Sequence, residues 1–125
     1  MDKITTEDVK NYEKAGLSDL YYGLISFIGQ YATQNFNPLA GFNFDNNSQT
    51  VYAIAINTMK QSLKELLDFF MQNKVLYIRS LGRNIDINLL NVEEMLALEE
   101  QCQEYIVIKL KEKLPDVDTK KCRGV

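Results

Sequence analysis

At 125 residues with 46% apolar side chains, the chain has the length and the material for one hydrophobic core. Its net charge of −3 excludes general phosphate-backbone binding, which needs clustered lysine and arginine, so no nucleic-acid partner is expected. It contains no histidine, which removes Ser-His and Cys-His nucleophile pairs and the commonest metal ligand.

The opening residues Met1 to Thr6 carry no apolar signal run. The longest nearly apolar stretch, Leu20 to Ile28, falls short of the roughly 20 residues that span a bilayer. A cytoplasmic protein without membrane contact is the expectation. Cys102 and Cys122 form neither a metal spacing nor a CxxC pair. Lysine greatly outnumbers arginine, as in AT-rich genomes such as those of many bacteria and phages.

In chain order, Thr5 and Thr6 followed by Glu7 and Asp8 predict a helix start, because hydroxyls cap orphan amides and carboxylates suit the positive end of the dipole. The helix runs from about Thr6 to Lys14 and Gly16 ends it. Ser18 and Asp19 open a second helix reaching about Gln34, with Leu17, Leu20, Tyr21, Leu24, Phe27, Ile28 and Tyr31 as its buried stripe. Gly23, Ser26 and Gly29 lower its propensity and permit close approach of a neighbour.

Asn35 to Ser48 reads as a loop, with Pro38, Gly41 and the turn cluster Asp45 to Ser48. Tyr52, Ile56, Met59, Leu63, Leu66 and Phe70 then recur four and three apart, the seam of a helix packed along its length. That helix is expected from about Gln49 to Leu81, either straight or broken near Gln72 and Asn73. The alternative for its start is a β-hairpin over residues 42–54, using the alternation of Tyr52, Ile54 and Ile56. Arg83 to Asn91 reads as extended, with Ile85, Ile87 and Leu89 alternating. Asn91 caps a last helix whose stripe is Met95, Leu98, Cys102 and Tyr105, drifting to Ile106, Leu110 and Leu114, and Pro115 stops it.

The fold expectation is therefore all-α: one short and three longer helices in an irregular antiparallel bundle spanning residues 1–114, followed by a polar tail over 115–125. The α+β form with the 42–54 hairpin is the alternative.

Function is read from what is left over. Only Asp45 is charged between Leu20 and Met59, while most of the aromatic residues lie there. Charge-depleted, aromatic-rich patches have the composition of interface cores. Tyr22, Phe36, Phe42 and Phe44 fall off the helical stripe or in the loop, and are the expected partner-binding residues. The expectation is a non-enzymatic interaction or assembly protein whose partner is another protein or a second copy of itself, with no cofactor and no metal. In the alternative, Arg79 and Arg83 grip a small anion or nucleotide with their guanidinium forks, and Tyr77 stacks on it. Glu93, Glu94, Glu99, Glu100 and Glu104 read as a solvated acidic face, because a helical di-metal site needs Glu-x-x-His motifs.

Overall fold

The computed structural model describes residues 3–36 and 46–114. The predicted loop between them, with Phe42 and Phe44, and the tail over 115–125 lie outside the described residues.

Helix α1, Thr6–Lys14, begins as its sequence requires. The Thr5 hydroxyl accepts from the Asp8 amide at 3.0 Å, and the Asp8 carboxylate accepts from the Thr5 amide at 2.9 Å. Gly16, at φ +78°, turns the chain into helix α2, Ser18–Phe36. The core of α2 is Leu20, Leu24, Ile28, Ala32 and Phe36. The helix outlasts its predicted end because Ala32 and Phe36 extend the stripe.

Helix α3 spans Asn46–Gln72. Its helical backbone over 46–54 rules out the alternative hairpin at 42–54, in keeping with the poor strand propensity of Ala53 and Ala55. Met59, Leu63 and Phe70 are buried as predicted, but Ala55 and Leu67 join them, while Tyr52, Ile56 and Leu66 are half-buried beside the core. The buried face is broad because α3 touches both α2 and the last helix.

The chain leaves the helix at Gln72, so the predicted continuation to Leu81 is corrected. Strand β1, Val75–Ile78, pairs antiparallel with strand β2, Arg83–Asp86, in the register Leu76 to Ile85 and Ile78 to Arg83. Val75 to Ile78 is β-branched and aromatic, which suits a pleated surface better than a helix. Gly82, at φ +67°, closes this hairpin rather than a helix. Ile78 and Ile85 are buried and anchor it to the core. A short 3₁₀ turn, Ile87–Leu89, leads into helix α4, Val92–Lys113. Its core row is Leu98, Cys102, Ile106 and Leu110.

The four helices thus share one core, with the hairpin against α4. A polar clasp fixes α1 to α3: the Lys64 ammonium lies 3.2 Å from both Asp8 and Asp68, and the Tyr12 hydroxyl donates to Asp68 at 3.2 Å. Burial works against the charge on Lys64, but hydrogen bonds to Asp68 and Asp8 outweigh it and raise its pKa.

A second capping box opens α4, where Asn91 accepts from the Glu94 amide at 2.8 Å and Glu94 accepts in return at 3.1 Å. The bond from the Thr5 backbone holds the Asp8 carboxyl below its ordinary value, opposed by burial and aided by Lys64. The Asn91 backbone and then Arg83 do the same for Glu94. Both carboxyls bind protons less readily folded than unfolded. Their contribution to stability is therefore complete above the ordinary carboxylate range, and is lost as pH falls through it to the lowered values. Urea midpoints at pH 7 and pH 3 should show a smaller acid loss in the double variant Asp8→Asn/Glu94→Gln than in the wild type. An equal loss in both would show that other groups govern acid unfolding.

Candidate functional site

The predicted partner-binding residues do not assemble into one face among the described residues. Tyr22 is 58% exposed, with its ring edge-on to Tyr21 at 5.0 Å. Phe36 is 8% exposed, closes the core row of α2 and lies 6.4 Å from the Tyr31 ring. Its expected role at an uncovered loop is corrected, because one more helical turn carries it into the core. The two residues stand fourteen apart on a single helix, about 21 Å at 1.5 Å per residue. Phe42 and Phe44, which would join them, lie outside the described residues.

The alternative set does not converge either. Arg79 pairs with Glu104 at 2.6 Å and Arg83 with Glu94 at 2.8 Å. These glutamates are ten residues apart on α4, about 15 Å, so the two guanidinium groups serve different carboxylates. Tyr77 is exposed on β1. The side-chain amide of Gln101 donates to the Tyr77 carbonyl at 3.1 Å and accepts from the Arg79 amide at 2.9 Å. Gln101 thereby occupies the outward-facing backbone groups of β1 at these two residues and fixes the hairpin to α4.

The acidic residues of α4 are likewise dispersed. Glu94 serves the cap and Glu104 serves Arg79, while Glu99 lies against Gly23, in space that a side chain there would fill. Gly23 does admit a close neighbour, as its sequence context predicts, whereas Gly29 faces open space. Among the described residues no three cysteine or acidic side chains come close enough to hold a metal ion.

What the helices and hairpin do assemble is an apolar groove of about 430 Å³ between α3, β1 and α4. Leu66 and Phe69 form one wall, Leu76 lines it from β1, and Leu98, Tyr105 and Ile108 line it from α4, over Phe70 and Cys102. Phe69 is 49% exposed and Ile108 is 55% exposed, while Phe70 and Cys102 are buried. Burial pushes the Cys102 thiol up to about 12, with the charge of Glu99 adding to it, so this sulfur is a core group and not a nucleophile. A smaller depression of about 270 Å³ adjoins the groove, with Arg79 and Gln101 as a common wall and Glu100 and Glu104 beyond. A third hollow, of about 510 Å³ between Lys3, α2 and α3, has a mixed lining that includes Asn57, Thr58 and Gln61.

Phe69 and Ile108 lie off the helical stripes and carried no weight in the sequence reading. A signal was present. Neighbours on a helix point about 100° apart, so the Phe69-Phe70 doublet and the run Ile106-Val107-Ile108 each have to turn an apolar side chain away from the core.

Comparison with known proteins finds no matching family model, no matching curated protein and no matching solved structure. Among the described residues, no helix is long and apolar enough to cross a membrane.

Proposed function

We propose that the protein is a non-enzymatic interaction or assembly protein, and that its binding face is the groove between α3, β1 and α4. The observation that carries this reading is the pairing of Phe69 and Ile108, half-exposed at the mouth of an apolar hollow. Isolated apolar side chains on a surface are ordinary, but large ones gathered around a concave apolar floor have the anatomy of a hot spot. The partner is a protein chain, either foreign or a second copy.

The test compares the wild type with Phe69→Ser/Ile108→Ser after circular dichroism has shown equal helicity. The wild type should retain a discrete partner in quantitative affinity capture, or show a higher mass by light scattering, and the double variant should lose it. Equal capture and equal mass for both proteins would sink the reading.

A further inference from the structure

The groove carries a charge pattern that selects its occupant. Glu65 lines one side of it from α3, and Glu100 lines the adjoining depression from α4. Neither has an ion-pair partner among the described residues. Between them Arg79 and Glu104 neutralise one another at 2.6 Å. Lys109 stands over the Tyr105 ring at 5.7 Å, but Glu112 offsets it at 3.5 Å. The margin is therefore acidic around an apolar floor. The form of the occupant follows from β1. A partner strand cannot pair along Tyr77 to Arg79, because Gln101 already holds those backbone groups. An occupant must satisfy its own backbone, as a helix does.

Resting on the docking reading above, we infer that the groove takes the apolar face of an amphipathic helix with lysine or arginine on its flanks, supplied by a partner chain. Phe69, Leu76 and Ile108 contact the apolar anchors, and Glu65 and Glu100 receive the basic flanks. Charge placed at a rim of this kind selects partners and speeds encounter more than it deepens affinity.

A displayed library of random 16-residue peptides tests this on the full chain. Peptides are selected on the wild type and depleted on Phe69→Ser/Ile108→Ser. Survivors are expected to carry apolar residues at helical spacing, with lysine and arginine several-fold enriched beside them. A survivor made as a labelled peptide should bind about tenfold more weakly to Glu65→Lys/Glu100→Lys by fluorescence anisotropy, and more weakly in high salt. Survivors that are neutral or acidic, or that bind the charge-reversed protein equally well, would overturn the inference and leave the docking reading intact. A selection yielding no peptide that the double variant loses would overturn both. A dimer in sedimentation that Phe69→Ser breaks would assign the groove to a second copy, and would overturn the inference too.

Discussion

Tyr12→Ala should lower the stability of the fold by about 3–5 kcal/mol, the range for deleting a large buried aromatic side chain. Tyr12 is the one buried residue of α1 and is fully enclosed. A helix of nine residues is not stable by itself in water, so α1 depends on what Tyr12 attaches it to. The ring lies 5.8 Å from that of Tyr21 on α2, and its hydroxyl reaches Asp68 on α3. Burial raises the hydroxyl pKa well above its ordinary value, and the charge and hydrogen bond of Asp68 add to it, so the group remains a donor throughout the useful pH range. Tyr12→Phe removes that bond alone and should cost about 1 kcal/mol, since Asp68 keeps Lys64. Urea unfolding measures both, and hydrogen exchange should show the α1 amides losing protection first in Tyr12→Ala. A loss below about 1 kcal/mol in Tyr12→Ala would mean that α1 is held by other contacts.

The second large effect separates two adjacent phenylalanines. Phe70→Ala should cost about 3–5 kcal/mol, because its ring is 2% exposed beneath the groove and nothing nearby can fill the hole. Phe69→Ala should stay within about 0.5 kcal/mol of wild type, as its ring stands half in water at the mouth. The two rings are edge-on at 6.0 Å, so some coupling is expected, and a double-mutant cycle measures it. If Phe69→Ala destabilises as strongly as Phe70→Ala, Phe69 belongs to the core and the docking surface loses its main anchor.

The helix ends were the most legible part of the sequence. Thr5, Gly16, Asn91 and the stop after Lys113 depend on local chemistry, and each falls where that chemistry puts it. The stripes were legible in outline and displaced in detail. A seam read from spacing assumes one neighbour, and α3 has two, so Ala55 and Leu67 enter the core beside Met59 and Leu63. The hairpin at Val75–Asp86 was hidden because Tyr77 resumes the periodicity of α3 after Asn73, although the residue types already favoured a strand. Ile85 and Ile87 did show their alternation, and both are buried. The candidate groove was not legible. Its walls come from α3, β1 and α4, and its exposed anchors are the residues that break the stripe, which a search for periodicity sets aside.

The core residues of α2, α3 and α4 stand in rows four apart: Leu20, Leu24, Ile28 and Ala32; Ala55, Met59, Leu63 and Leu67; Leu98, Cys102, Ile106 and Leu110. Such rows are the ridges that interdigitate when helices cross at a steep inclination of about −50°, not the shallow angle of about +20° that a seam alternating four and three implies. Steeply crossed rods touch at one point and spread apart on either side. Wedge-shaped spaces at their ends are then a consequence of the crossing, and a short hairpin laid into one wedge turns it into a walled recess.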